Sequence, residues 1–461
     1  MARSAKYNLT EGKILNKLFF IALPIMGTQL FQMMYNLIDM FLLGRISYDT
    51  VAASGTAGMF IWLSVAFFII GSMGAEIGVS QSLGNKDPIG AKMYSQNATF
   101  LALTLGIIYA SLMIGFARPL IGFFRIQEAH VVEDAIAYLS IVALSFPFTF
   151  ITFSCSASFN GSGNSRFSFT VKASGLLINI ILSPLFIFYF GWGIQGAAAA
   201  TVVAQILVCI TFLLSIKFHP ARPFEEYYYR DIFRPVKERI VRIVRWALPV
   251  SIESMCFTLL TMLISPLVAS FGSGALAVVR VGSQIESISW LIAGGFAAAL
   301  TSFVGQNYGA QKWSRIHKGV RLSLIMMFIY GLLISVLLFI GAGPLFSLFV
   351  DDQAIVPMGV SFLRIFALIQ MFVCIEMTAA GAFRGTGNTK PPSIVSIFFN
   401  LTRVFLAYAM VAFTPLGLDG IWWAMAACNL LRGATLLIWY LVVAGKQPKD
   451  DSKGAESLTS I

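Results

Sequence analysis

The chain has 461 residues, of which 57% are hydrophobic and only 11% charged. An ordinary soluble domain carries about 25% charged residues, so composition excludes a water-soluble globular protein of this length. The net charge of +11 does not indicate nucleic-acid binding. The Lys and Arg sit in short loops rather than in a compact basic domain, a distribution that anionic lipid headgroups and membrane topology explain.

In chain order, the opening MARSAKYNLTEGK is polar and lacks the apolar core and cleavage site of a secretory leader, so the first apolar run is expected to be a permanent span. Runs of about 20 apolar residues, enough to cross a bilayer, then recur as far as Tyr440. Six are expected near 15–43, 51–83, 94–117, 132–158, 168–190 and 194–216. Six more are expected near 241–271, 281–308, 320–342, 356–382, 392–413 and 418–443.

Alternate connections are basic. They hold Arg3, Lys6 and Lys13, then Lys86 and Lys92, Arg166, the 217–245 stretch, Lys312 to Arg321, Arg384 with Lys390, and finally Lys446 and Lys449. The intervening loops carry little positive charge and include Asp351, Asp352 and Asp419. Positive loops stay inside, so both termini are expected on the cytoplasmic side of a prokaryotic cell membrane. The expected organisation is an N-terminal six-helix lobe (1–216), a basic cytoplasmic linker (217–240), a C-terminal six-helix lobe (241–443) and a polar cytoplasmic tail (444–461). At the end of the 217–245 stretch, Ile240, Ile243 and Val244 alternate with Arg239, Arg242 and Arg245, a pattern suited to the headgroup layer.

The chain repeats itself. Ala22-Leu23-Pro24 returns as Ala247-Leu248-Pro249, Gln81-Ser-Leu-Gly84 as Gln306-Asn-Tyr-Gly309, and Pro119-Leu120 as Pro344-Leu345, each displaced by 225 residues. FNGSGNS (159–165) returns as FRGTGNT (383–389), and GIQG (193–196) as GLDG (417–420), displaced by 224. Five landmarks in one order at one spacing record a duplication. With six spans per copy the repeats are parallel, related by an axis along the membrane normal. The fold expected is therefore an all-α polytopic membrane protein: 12 transmembrane helices in two pseudo-symmetric six-helix lobes around a central cleft, able to rock between inward and outward access. The Gly-rich turns do not follow the phosphate-binding order GxxxxGK[ST], and no strand precedes them, so ATP is not the expected fuel.

Few residues carry chemistry. Cys155, Cys209, Cys256, Cys374 and Cys428 all lie in apolar runs without a CxxC pair, and read as buried hydrophobes. His130, His219 and His317 are scattered, so neither a metal nor another cofactor is expected apart from a coupling ion. Protease and hydrolase patterns such as HExxH and GxSxG are missing, so the chain is not expected to be an enzyme. Asp39 is the strongest candidate, because a carboxylate in mid-span costs a few kcal/mol and is rarely idle. Without water to stabilise its anion, it is placed to exchange a proton or to hold Na⁺. Pro24, earlier in the same span, removes one backbone bond and is the candidate hinge. The second half carries Glu253, Glu286, Glu376, Arg403 and Arg432 in its spans. Glu253 lies one helical turn after Pro249, and Glu286 could face it. Arg403 stands at the repeat equivalent of Asn179 and is expected to pair with an acid such as Glu376. Met33, Met34, Tyr35, Met255 and Met262, on the equivalent first and seventh spans, are candidates for an adaptable substrate surface, since Met and aromatic side chains suit promiscuous apolar pockets.

The order of these landmarks resembles the multidrug and toxic compound extrusion (MATE) family over nearly the whole chain, with a leaning to its DinF-like prokaryotic branch. The carrying residues are LPIMGTQLFQMMYNLIDMFLLG (23–44), the QSLGN turn, the paired FNGSGNS and FRGTGNT turns, NIILSPLFIF (179–188) and GWGIQGAAAAT (191–201). The resemblance implies a secondary antiporter, a monomer among membrane lipids, that exports amphipathic and often cationic small molecules in exchange for H⁺ or Na⁺. It also implies a cation-coupling set of Asp39 with Asn179 and Thr201, and an acid near Glu253. Where the family commonly has a second acid, this chain has Ser183, which removes a negative ligand from any Na⁺ cage and favours H⁺. The competing reading is a flippase for a lipid-linked saccharide from the same superfamily. Such flippases show a strongly cationic cavity, whereas Asp39, Glu253 and Glu286 outweigh that signal here.

Overall fold

Lipid offers no hydrogen-bond partner to a backbone amide, so a chain this apolar must satisfy its amides within each segment. The computed structural model describes residues 7–124, 126, 128–220, 222–350, 352 and 354–446. Arg3, Lys6, Asp351, Lys449 and most of the 444–461 tail lie outside the described residues. Among those described, every regular element is helical.

The first half contains α1 (Ile14–Gly44), α2 (Tyr48–Gly84), α3 (Pro88–Gly115), the short α4 (Ala117–Gly122), α5 (Ala129–Ala143), α6 (Phe146–Gly161), α7 (Ser165–Pro184) and α8 (Gly193–Phe218). The second contains α9 (Lys237–Ala269), α10 (Ser273–Gly309), α11 (Trp313–Ile340), the short α12 (Ala342–Ser347), α13 (Ile355–Ala367), α14 (Gln370–Gly385), α15 (Lys390–Phe413) and α16 (Leu418–Gly445). Ten of these are long and apolar enough to cross a membrane, and the pairs α5/α6 and α13/α14 bring the number to 12 when each counts as one span. The expected spans therefore stand.

Two of them are bent at a break between two helices. The α5/α6 pair is bent by 46° and the α13/α14 pair by 47°. At the first break Pro147 has no amide hydrogen for the Ala143 carbonyl, and the amides of Leu144 and Ser145 bond only three residues back, to Ile141 and Val142. The second break has no proline. There Ile369 bonds back to Phe366, and Gln370, fully buried at the start of α14, turns its side chain to Ser289 and Glu286 of α10.

The duplication is visible bond for bond. In FNGSGNS the amides of Gly163 and Asn164 reach Asn160 and Phe159, at 2.8 and 2.9 Å. In FRGTGNT those of Gly387 and Asn388 reach Arg384 and Phe383, at 2.8 and 3.1 Å. These are paired helix-ending motifs in which the penultimate residue must take positive φ, and both positions are glycine, at +87° and +80°. Each copy of the Gln-x-x-Gly segment likewise ends in a non-glycine residue at positive φ: Lys86 at 57° and Gln311 at 56°.

The chain divides into two compact units. One comprises residues up to Tyr7, 21–80 and 87–258; the other comprises 8–20, 81–86 and 259 onward. Their borders fall inside α1, α2 and α9 rather than in the polar connection. The first unit has a core around Tyr109, Leu139, Phe146 and Phe150, and the second around Phe346, Phe362, Phe366 and Trp422. The Arg-rich stretch after the polar connection forms the opening turns of α9 and not a separate surface helix. Ile243 is fully buried there, Arg242 donates to the Tyr94 hydroxyl at 3.0 Å, and Arg239 lies 4.7 Å from the centre of the same ring.

The two Gln-x-x-Gly segments meet in the second unit. A Cβ on Gly84 would strike the carbonyl oxygen of Gln306, and one on Gly309 would strike that of Gln81. Small residues are what allow helices to approach this closely in a membrane. Gly84→Ala or Gly309→Ala should therefore destabilise the protein by about 1–3 kcal/mol, as overpacking does. Gly294→Ala, with open space at its Cβ, should leave the melting temperature in detergent unchanged or slightly raised.

Candidate functional site

Residues three and four apart share one face of a helix. On α1 that spacing aligns Thr28, Gln32, Tyr35 and Asp39. On α7 it aligns Lys172, Leu176, Asn179 and Ser183. On α8 it aligns Thr201, Ala204, Gln205 and Val208. These three stripes carry polar groups of the first unit, and the predicted Tyr35, Asp39, Asn179, Ser183 and Thr201 all lie on them. Asp39 is 9% exposed. The fully buried Ser183 hydroxyl donates to its Oδ1 at 3.5 Å, and Thr201 lies within hydrogen-bonding reach of the same carboxyl. Tyr35 donates to Thr201 Oγ1 at 2.9 Å, which closes a chain from α1 to α8 and back. No basic side chain pairs with Asp39 among the described residues.

Asn179 stands one turn before Ser183 and is 1% exposed, yet among the described residues neither Oδ1 nor Nδ2 has a hydrogen-bond partner. Each such atom costs about 1–3 kcal/mol unless water or an ion answers it. The Asp39 surroundings thus offer a carboxyl, two hydroxyls and an unengaged amide: oxygen donors that suit a proton or a hard cation. Among the described residues no cluster of three or more His, Cys, Asp or Glu could hold a metal. Pro24 lies inside α1, which runs on without interruption, and its carbonyl accepts a bond from the Thr28 hydroxyl at 3.0 Å.

In the second unit Glu286 accepts from Gln370 Nε2 at 3.1 Å, and Gln370 Oε1 accepts from Ser289 at 3.0 Å. Glu376 forms a buried ion pair with Arg432 at 3.4 Å. Arg403 donates to Thr261 Oγ1 at 2.7 Å. Glu253 falls in the first unit and Glu286 in the second. Of the apolar candidates, Met33 and Met255 are half-buried while Met34 and Met262 are exposed.

Sequence reasoning overlooked three participants and gave a fourth no partner. Tyr138 of α5 is buried close enough to Asp39 to feel its charge, but a tyrosine within an apolar run carries no signal of its own. Gln370 was hidden by the helix break it begins. Arg432 was noted as an intramembrane charge without a partner, which proves to be Glu376. Lys172 should have been found by the rule that found Asp39, since it is an ionisable residue inside a span.

Twelve apolar spans in a duplicated array, with carboxylates buried inside them, define an integral membrane transport protein. The MatE family model matches residues 24–185 and 249–409, one stretch in each repeat. The chain belongs to this family, whose members are transporters rather than enzymes and need no cofactor. It is 28% identical over 445 residues to the "Probable multidrug resistance protein NorM" of Thermotoga maritima, covering 95% of this chain and 94% of that one. It is 22% identical to the "Multidrug export protein MepA" of Staphylococcus saprophyticus, covering 95% and 96%. Among solved structures, an outward-facing multidrug resistance MATE transporter of the MOP superfamily superposes with a TM-score of 0.90 at 22% identity, over 96% of this chain and 99% of that one.

Two stability predictions follow from the buried polar groups. Asn179→Leu removes two unanswered polar atoms and should leave the melting temperature in detergent unchanged or raise it, unlike most core substitutions. Arg432→Met strips Glu376 of its buried partner and should destabilise by about 3–5 kcal/mol. Most of that loss should return in the Arg432→Met, Glu376→Leu double variant, measured by the same thermal scan.

Proposed function

We propose that this chain exports amphipathic small molecules, organic cations among them, in exchange for protons by alternating access. The similarity to the NorM and MepA proteins supports multidrug export. The observation that carries the ion coupling is the surroundings of Asp39, a buried carboxyl whose partners are the neutral hydroxyls of Ser183 and Thr201. A carboxylate locked to Lys or Arg would hold its charge through the cycle, whereas one whose partners are neutral hydroxyls has no fixed counter-charge to keep it ionised.

The donor set Asp39, Asn179, Ser183 and Thr201 supplies oxygens to Na⁺ as well, but with a single negative charge. The absence of a second acid at Ser183 favours H⁺. Glu253 and Glu286 are secondary coupling candidates, and Met33, Met34, Tyr35, Met255 and Met262 are candidates for the substrate surface. Pro24 is the proposed hinge of α1. The reading places both termini in the cytoplasm and takes the working unit as a monomer in lipid.

One coupling charge is energetically sufficient for a neutral substrate. A proton crossing about 150 mV releases about 3.5 kcal/mol, which sustains a gradient of a few hundredfold. A monovalent cation exchanged for one proton is electroneutral, and only the pH gradient drives it.

Proteoliposomes loaded with a fluorescent organic cation and given an imposed pH or Na⁺ gradient test the proposal. Wild type should respond to the pH gradient, and Asp39→Asn should lower gradient-driven export at least tenfold. Unchanged export in Asp39→Asn removes Asp39 from the mechanism. Export that requires Na⁺ at fixed pH, with no proton flux, replaces H⁺ with Na⁺.

A further inference from the structure

The first unit holds a pocket that the ion-coupling reading does not use. It lies between α1, α6, α7 and α8, and its polar lining is Thr28, Gln32, Tyr35, Thr152, Lys172 and Gln205. Lys172 is the eighth residue of α7, about 10 Å along the axis from its first residue and so well within the span. No acid lines the pocket, and among the described residues no carboxylate stands within ion-pair distance of Lys172. Its ammonium instead lies 4.3 Å from the centre of the Phe153 ring. That ring is fixed from its own side by stacking on Phe68, with centroids 3.9 Å apart and planes at 8°.

An ammonium inside a span is normally answered by an acid or by backbone carbonyls. A ring face supplies only part of that compensation. Around Lys172 the other polar groups are neutral amides and hydroxyls, which carry no compensating charge. The Thr152 hydroxyl, on a residue 3% exposed, faces the neutral thiol of Cys209 and no charged group. The amides of Gln32 and Gln205 are not engaged by another residue among those described. The pocket therefore holds one positive charge among neutral hydroxyls and two amides, with Phe31 and Phe153 as apolar walls.

What is missing is a negative charge. We propose that this pocket binds the carboxylate or phosphate end of an amphipathic organic anion, with Lys172 as counter-ion and the rings of Phe31 and Phe153 against its apolar body. The site is continuous with the Asp39 network, because Tyr35 lines the pocket and also donates to Thr201. Lys172 lies two turns from Asn179 on the same stripe of α7. The α7 stripe thus presents a cation at one level, and the α1 carboxyl bonded to Ser183 stands at another, an arrangement able to receive the two ends of a zwitterion.

The proposal concerns binding alone. It is tested without any gradient, so its failure is separable from failure of the coupling reading. The full chain in nanodiscs of zwitterionic lipid is titrated with 1-naphthylacetate and, separately, with 1-naphthylmethyl-trimethylammonium, two probes that share a ring and differ in charge. Wild type should bind the anion, Lys172→Met should weaken that binding at least tenfold while keeping its affinity for the cation, and Lys172→Arg should retain the anion. Equal anion binding by wild type and Lys172→Met overturns the proposal, as does failure of wild type to bind the anion. Should Lys172→Met bind neither probe, Lys172→Arg decides: retained anion binding supports the site and lost binding overturns it. Competition by added phosphatidylglycerol would assign the anion to a lipid headgroup, and lack of competition to a soluble solute. Either result leaves the anion at Lys172.

Discussion

Inside hydrocarbon a polar group has no solvent to fall back on, and this single constraint orders the rest of the structure. It forces the backbone into helices. It also makes every side chain able to bond or ionise within a span a costly exception that must be compensated nearby. Most of this chain's exceptions are compensated locally: many Ser and Thr hydroxyls bond carbonyls three or four residues back on their own helix. The functional candidates are the residues for which that local solution is unavailable or incomplete.

The two compact units meet the constraint differently. In the first, Asp39 is answered by neutral hydroxyls, Asn179 by no side chain or backbone group among the described residues, and Lys172 by a ring face. In the second, Glu376 is held by Arg432 and Glu286 by an amide. Breaking a tight buried ion pair is expensive, so the Glu376–Arg432 pair suits a fixed structural element. Loosely answered charges are the ones whose partners can change during a cycle. The contrast favours the first unit for ion and substrate chemistry.

Much of this was legible in the chain itself. Span positions followed from apolar length, and the duplication from five landmarks at one displacement. Asp39 stood out because a carboxylate in an apolar run has no bland compositional explanation. Geometry without a compositional signature stayed hidden. The break at Leu368–Ile369 has no proline to announce it, so Gln370 was read as one more residue of a continuous helix. Tyr138 comes close to Asp39 only through packing of α5, and no periodicity reports packing between helices far apart in sequence. The partner of Glu376 was a choice among several basic residues on neighbouring spans, which spacing along one chain does not resolve.

The crossing of the two Gln-x-x-Gly segments has a consequence for the origin of the molecule. Gly84 abuts the Gln306 carbonyl while Gly309 abuts that of Gln81, and these four positions are two pairs of repeat equivalents. Before the duplication, each pair was a single residue. The same contact would then have joined one half-length chain to a second copy of itself, glycine to glutamine in both directions, as self-complementary homodimer interfaces do. The crossing can therefore be read as the relic of an ancestral dimer seam that gene fusion made permanent. Once fused, neither glycine could gain a side chain without a matching change in the other copy, so the seam would tie together halves that were otherwise free to diverge.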